Sequence, residues 1–298
     1  MATATRTVDS TQTKPSLTIR WQMLGFKTLL FYFVMGVLSL FFLFPLVWMV
    51  GTSLKTVAEI TQPQINLLPQ SAQWSNYGNL VTQEPFIRAY TNSIFITAMV
   101  LFGTVTSISL VAFAFSRLEW KGRGIVFALM MGTLLLPSQA TLVPQYALFY
   151  NLGWLQTFNP ITLPGFFAGG AALIFLLRQF MLTLPKELDE AAFMDGATPL
   201  QVWWYIIMPL CRPAIATVTV FLFVGQWNNL LQPSIYLQRA QLFPMPLFIV
   251  FMNNSNVIPV PWQNIMAASV MFVMPLLIVF FLTQRYFVES VALTGSKG

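Results

Sequence analysis

Four of the nine acidic residues in this 298-residue chain stand close together. Glu187, Asp189, Glu190 and Asp195 all fall within Leu182–Pro213, LTLPKELDEAAFMDGATPLQVWWYIIMPLCRP. Acid–base or metal chemistry is a poor fit for them. The chain has no His, so the commonest metal ligand and general base is missing. A single cysteine, Cys211, excludes an intrachain disulfide and any Cys-based metal cluster. No catalytic residue and no metal ligand is therefore assigned. What such a stretch can do is dock: Glu190 and Asp195 can accept hydrogen bonds or pair with cations, and the small Ala191 and Ala192 can enter a groove on a partner. A polar loop whose acids are merely solvated fits the composition equally well.

The punctuation of the stretch specifies its elements. Pro185 suits the first turn of a helix, where its missing N–H would be unpaired anyway. Glu187, Asp189 and Glu190 then lie near the positive end of the helix dipole. Gly196 is the preferred residue type just beyond a helix C-terminus. Thr198-Pro199-Leu200-Gln201 reads as a capping box with proline at the first position. A second short helix through Trp203–Ile207 is expected to end at Pro209 and Pro213. Two short helices at a sharp angle make a compact knob.

The rest of the chain must hold that knob in a membrane. Hydrophobic residues make up 56% and charged residues 8%, with 28 Phe, whereas soluble domains carry roughly 25% charged residues. Apolar stretches exceed the roughly 18–20 residues needed to cross a bilayer, and the alternating segments of an outer-membrane barrel are missing. The fold class is an all-α integral membrane protein. Residues 1–24 form a polar N-terminal tail, with a first apolar run too long for a signal peptide, and residues 25–298 form the transmembrane domain. Span 1 covers Thr28–Val50, with a kink expected at Pro45. Residues 51–88 form a polar arm, expected to be ordered and to lie outside the bilayer. Span 2 lies within Ala89–Ser116. Ile125–Leu177 is uncharged and folds back near Asn151–Pro160 to give spans 3 and 4, the third holding Pro137 and Pro144 and the fourth Gly165, Gly169 and Gly170, read as packing glycines. Spans 5 and 6 run over Ala214–Leu231 and Ile265–Leu282.

Six spans put both termini on one side. Lys and Arg then divide unevenly: only Lys55, Arg88 and Arg239 of the 15 fall on the opposite side. Positive residues accumulate on the cytoplasmic side, which places both termini and residues 182–213 there and explains the net charge of +6 without nucleic acid. No G-x-x-x-x-G-K-[ST] occurs, so a nucleotide of that kind must bind another chain.

At Glu190-Ala191-Ala192, Gly196, Ile206 and Pro209 the sequence resembles the EAA signature of ABC-importer permeases, with Met208 in place of the usual Leu. EAAFMDGA over 190–197 resembles the carbohydrate branch, the maltose type. Ser53-Leu54-Lys55-Thr56 with Asn76-Tyr77, Leu136-Pro137-Ser138-Gln139 with Pro144 and Tyr146, Phe180, Trp227-Asn228 with Pro233, and Gln284-Arg285-Tyr286-Phe287-Val288 are similar to family segments too, so that the resemblance covers about residues 25–298. It implies a type I permease fold and a place in a bacterial inner membrane, where an ATPase dimer docks on the coupling loop at Glu190, Ala191, Ala192, Asp195, Gly196 and Pro209. It further implies a second homologous permease, an extracytoplasmic solute-binding protein, and ATP with Mg on the ATPase. Thr294–Gly298 imperfectly resembles a family tail that reaches toward the ATPases.

Polar groups inside spans are candidates for a translocation path: Asn92, Ser93, Gln139, Gln226, Asn228 and Asn229, with Tyr146 and Trp227 as aromatic platforms. Hydroxyl-rich sugars call for amide and aromatic partners. Interhelical hydrogen bonds would account for the same residues. The same architecture could carry a polyol, a glycerophosphodiester or a peptide. A membrane-embedded transferase would need ionisable groups at membrane depth, and no span interior holds one.

Overall fold

The computed structural model describes residues 26–62, 66–82, 84–254 and 260–295. The tail over 1–24 and the last residues of the Thr294–Gly298 segment lie outside them. The described residues are almost entirely helical. Helix α1 is Phe26–Ser53, α2 Val57–Thr61, α3 Ser75–Thr82 and α4 Glu84–Ser116; α5 is Arg123–Gly132, α6 Ser138–Asn151, α7 Asn159–Thr162 and α8 Ala171–Leu182. Then come α9 (Glu187–Met194), α10 (Pro199–Gln201), α11 (Met208–Leu210), α12 (Arg212–Trp227), α13 (Leu231–Tyr236), α14 (Met245–Asn254) and α15 (Trp262–Gly295).

Four stretches are continuous enough and apolar enough to cross a bilayer: Thr28–Ser53, Pro85–Ser116, Asn159–Leu182 and Trp262–Gln284. Two bent helix pairs are the remaining candidates, Arg123–Leu135 with Gln139–Asn151 at 104° and Pro199–Leu210 with Arg212–Trp227 at 82°, and in the second the knob ends at the bend so that Arg212–Trp227 is its apolar arm. Counting each pair as one span brings the described residues to as many as six. This corrects the expectation of an unbroken third span. Its break falls at Pro137, where Leu136 and Pro137 are extended, with ψ of 121° and 130°. Proline disfavours the α conformation in the residue before it, which is what stops the helix there. Pro144 is carried inside α6, and Pro45 inside an unbroken α1.

Helix α4 is the central element, packed against α8, α12 and α14, whereas α1 leans on α15. Leu40, Phe41 and Phe42 of α1 are more than 70% exposed, as befits a helix whose solvent is lipid. Buried apolar residues form two clusters. One, at the end of the molecule opposite the knob, gathers Leu80, Phe86, Phe149, Tyr236, Met245 and Ala267. The other, at the knob end, gathers Ile108, Phe113, Leu177, Met181, Val202 and Ile207.

Close approach explains two of the membrane glycines. A Cβ at Gly165 would collide with Thr104 Oγ1, and one at Gly103 with the Phe166 ring. Ser107 Oγ donates to Gly165 O at 2.7 Å across the same contact. Gly170, at φ 147°, is needed for its backbone conformation instead. Replacing Gly165 by Val is expected to overpack the α4 contact at a cost of about 1–3 kcal/mol, seen as a lower thermal midpoint in detergent. An unchanged midpoint would refute the packing account.

Within the described part of residues 51–88, side chains fasten distant stretches of the arm to one another. Asn76 Nδ2 donates to the Ser53 and Lys55 carbonyls at 2.9 and 3.0 Å, Ser53 Oγ and the Tyr77 hydroxyl are 2.6 Å apart, and Lys55 Nζ donates to Asn66 O. Thr56 and Glu59 close a capping box on α2, and the backbone N–H of Thr56, with that of Gln70, donates to the Glu59 carboxylate and holds it below its usual range. Residues 53–56 and 76–77 are thus mutual fasteners. The arm is shorter than its polarity suggests, because α4 already begins at Glu84.

Candidate functional site

Helix α9 ends as its residue types require. Gly196 has φ 84°, its N–H donates to Phe193 O at 3.0 Å, and Ala197 N–H donates to Ala192 O at 2.9 Å. That pair of bonds is a Schellman closure, which a left-handed glycine makes without a Cβ penalty. The start departs slightly from expectation. Lys186 is the N-cap, without a side-chain bond, and Pro185 precedes it rather than entering the first turn. Glu187, Asp189 and Glu190 do occupy that turn.

The capping box at the next helix is present. Gln201 N donates to Thr198 Oγ1 at 3.4 Å, and Thr198 N donates to Gln201 Oε1 at 2.7 Å. Thr198→Ala is expected to cost about 1 kcal/mol and to quicken proteolytic nicking between α9 and α10. Nicking at the parent rate would show that the cap does not hold the turn.

Pro209 does not end the second helix. From Val202 to Ile207 the chain widens to a π turn, with Met208 N–H reaching Trp203 O, and α11 runs on past Pro209 to Leu210. Proline donates no hydrogen bond and crowds the carbonyl four residues back; the wider turn ahead of it is how the helix gets through. Pro213 starts α12 instead of stopping its predecessor. Helix α12 ends at Trp227, earlier than the expected Leu231.

The knob is bolted to the helices behind it by a pair of charges. Arg117, directly after α4, donates through Nη2 to Met181 O at 2.5 Å and Leu184 O at 3.0 Å, and through Nη1 to Pro185 O at 3.5 Å. Those carbonyls belong to the C-terminal turn of α8 and its exit, where a cation is favoured by the helix dipole; Met181 O also accepts from Leu184 N–H at 3.2 Å. Arg117 Nη1 also lies 3.1 Å from Asp189 Oδ2, with the two side chains only 2% and 8% exposed. Burial pushes the Asp189 carboxyl above its usual range, and the Arg117 charge pulls it back only in part. Beside this pair, Arg178 Nε donates to Phe115 O at 3.2 Å and its guanidinium lies over the Phe127 ring. Neither Arg117 nor Asp189 stood out in the sequence as a partner of the other. The available signals, an Arg at the end of an apolar run and an acid in a first turn, carry no information about pairing.

Facing away from that bolt, Glu190, Ala191, Asp195, Gly196 and Pro209 are exposed, and Ala192 is half-buried against the core. Among the described residues, no atom beyond its chain neighbours lies within 4 Å of where a Gly196 Cβ would be. The exposed part is more apolar than the acids suggest: Met194 is 88% exposed, Tyr205 72%, Leu200 66% and Trp204 56%. A rigid protrusion with an apolar surface and a few acids is a shape for docking, not for chemistry.

The residues proposed for a path are not gathered into one site. Asn92 Nδ2 donates to Gln241 O and Phe243 O, and Ser93 Oγ accepts from Met245 N at 2.7 Å; both tether the 240–245 segment to α4. Trp227 is buried, its Nε1 donating to Phe272 O at 2.9 Å, and it stacks on Phe223 and Phe272. Its polar edge is therefore spent on packing. Tyr146 stacks on Tyr236. Asn228 Nδ2 donates to Val224 O, Asn229 Nδ2 donates to Gln232 Oε1, and Gln226 is half-buried beside them at the end of α12. Gln139 lies on α6, exposed and bonded. A cavity of about 350 Å³ lies between α4, α12 and α15, walled by Tyr90, Ile94, Thr97, Phe223, Trp227 and Pro275. Of the proposed path residues only Trp227 reaches it.

Residues 103–293 match the family described as binding-protein-dependent transport system inner membrane component. The chain is 28% identical to the arabinooligosaccharides transport system permease protein AraQ of Halalkalibacterium halodurans, over 86% of its own length and 91% of that protein's. It is 31% identical to the sn-glycerol-3-phosphate transport system permease protein UgpE of Yersinia pestis, over 86% and 92%. Among solved structures it is similar to a chain of a bacterial ABC transporter involved in the import of the acidic polysaccharide alginate, with a TM-score of 0.79 at 26% identity, covering 91% of this chain and 98% of that one.

Proposed function

The chain belongs to the family of binding-protein-dependent transport system inner membrane components, and from that premise we propose that it moves sugars or oligosaccharides, driven through residues 182–213 by a separate ATPase. It is a multi-pass permease subunit of a bacterial plasma membrane importer, not an enzyme. The observation that supports the coupling role is the knob itself: two short helices closed by a Schellman motif and a capping box, exposed on one side and bolted to α4 and α8 on the other. A stiff protrusion can transmit a push, whereas a slack loop would absorb it.

In this reading an ATPase dimer, carrying ATP and Mg, grips the surface around Glu190, Ala191, Ala192, Asp195, Gly196 and Pro209. Residues 182–213 and both termini face the cytoplasm, following the Lys and Arg asymmetry. A second homologous permease completes the pore, a solute-binding protein delivers cargo from outside, and lipid surrounds α1. Gln139, Tyr146, Gln226, Asn228 and Asn229 supply amide and aromatic contacts along the path, with the Trp227 ring as an apolar wall. Carbohydrate is favoured as cargo because AraQ and the alginate transporter are both named for saccharides.

Co-purification with the ATPase, followed by ATPase assay in proteoliposomes with the solute-binding protein, tests this. Arabinotriose, glycerol 3-phosphate and an alginate oligosaccharide are the probes. Stimulation by a saccharide is the expected result; stimulation by glycerol 3-phosphate alone would replace the cargo. Recovery of the chain as a lone, ATPase-free homomer would overturn the coupling role.

A further inference from the structure

The knob is joined covalently to α8 on one side and to α12 on the other. Helix α4, which supplies Tyr90, Ile94 and Thr97 to the cavity wall, has no covalent link to it. Between Ser116 and the knob lie α5 to α8, so whatever makes α4 follow the knob must be non-covalent. Some of that grip is apolar, since Ile108, Ala112 and Phe113 share a cluster with Val202 and Ile207. Such surfaces can slide. Arg117 is directional: one guanidinium holds the exit of α8 through three carbonyls and the first turn of α9 through Asp189.

We propose that Arg117 and Asp189 form the latch that makes α4 move with the coupling loop, so that a push on the knob reaches the cavity between α4, α12 and α15. The inference rests on the coupling role proposed above. Incomplete satisfaction of the pair supports it. Arg117 Nε and Asp189 Oδ1 are buried without a hydrogen-bond partner, which is a poor arrangement if stability alone were served. Well-packed apolar residues in place of a buried ion pair are often as stable or more so. What they cannot replace is a directional bond that resists shear. Both are positioning residues; neither contacts cargo.

The test uses the assembled importer with its ATPase and partner permease, on a Cys211→Ser background, with spin labels in two pairs. Ile87 with Trp262 reports the far end of α4 against the start of α15, and Leu230, three residues beyond the end of α12, with Trp262 reports the far side of α12. Distances are compared without nucleotide and after ATP–vanadate trapping. In the parent, both are expected to shift. In Arg117→Met/Asp189→Leu, and separately in Asp189→Asn, the α4 shift should be lost and the α12 shift kept, with trapped ADP unchanged. A merely structural role would remove both shifts together or neither, and either pattern overturns the latch. Asp189→Asn is near-isosteric and decides the matter if the double variant does not assemble. Absence of both shifts in the parent would overturn the coupling role itself, which separates that failure from failure of the latch.

Discussion

Gly196→Trp is expected to reduce import to about 1% of the parent or less, a loss of the size that truncated or misplaced docking contacts produce, while membrane insertion and basal ATP hydrolysis persist. Two costs combine in it. Gly196 sits at φ 84°, so any L-residue there pays roughly 1–2 kcal/mol of backbone strain. Among the described residues nothing beyond its chain neighbours lies within 4 Å of the Gly196 Cβ position, so the added bulk starts out in open space. On an exposed docking surface that bulk is expected to intrude on what arrives from outside. Gly196→Ala separates the two effects, carrying the strain without the bulk, and should retain a substantial part of import. Glu190→Lys is the complementary variant, with an exposed charge on α9 reversed and no change of backbone. Measured in proteoliposomes as solute imported per ATP hydrolysed, Gly196→Trp and Glu190→Lys should both fall while Gly196→Ala stays near the parent. Normal import by both Gly196→Trp and Glu190→Lys would mean that nothing docks at this surface.

The second large effect concerns stability. Arg117→Ala should destabilise the chain by about 3–5 kcal/mol, the usual result of removing one member of a buried ion pair and leaving the other charge uncompensated. Asp189→Ala should cost a comparable amount, since it strands the guanidinium, although the Met181 and Leu184 carbonyls still occupy part of it. Arg117→Met/Asp189→Leu should cost far less than either single change, because no charge is stranded. Denaturant or thermal unfolding in detergent would show this as strong non-additivity across the double-mutant cycle. Additive losses would mean that the two side chains act independently, contrary to their 3.1 Å separation.

Much of the architecture can be read along the chain because it depends on neighbours in sequence. The apolar runs place the stretches Thr28–Ser53, Pro85–Ser116 and Trp262–Gln284 to within a few residues, since burial in lipid is a property of the run itself, whereas α15 continues as a helix to Gly295. Gly196 and the Thr198–Gln201 box predict a helix stop and a helix start correctly, because both are decided by hydrogen bonds spanning three to five residues. Where the local rules failed, a neighbouring backbone adjustment had intervened. Pro209 is a helix breaker by its chemistry, yet a π turn ahead of it carries the helix through. Pro137 was expected to be tolerated inside a span and instead breaks it, with a bend of 104°. Both residues lack an amide proton; which outcome follows depends on what packs around them.

Polar residues inside the membrane show the same division more sharply. Asn92, Ser93 and Trp227 have side chains suited to a sugar, and sequence alone leaves both that role and interhelical bonding open, the latter being the commoner use of such residues. Their partners Gln241, Met245 and Phe272 lie far along the chain, and the tertiary structure commits them to holding it together. Hydropathy, caps and the spacing of Glu190, Ala191, Ala192 and Gly196 are local quantities, and they suffice to specify a polytopic helical membrane protein with one charged, two-helix knob. Which residues tie that knob to the spans is a matter of long-range packing, since Arg117 and Asp189 become partners solely through the placement of α4 beside α8.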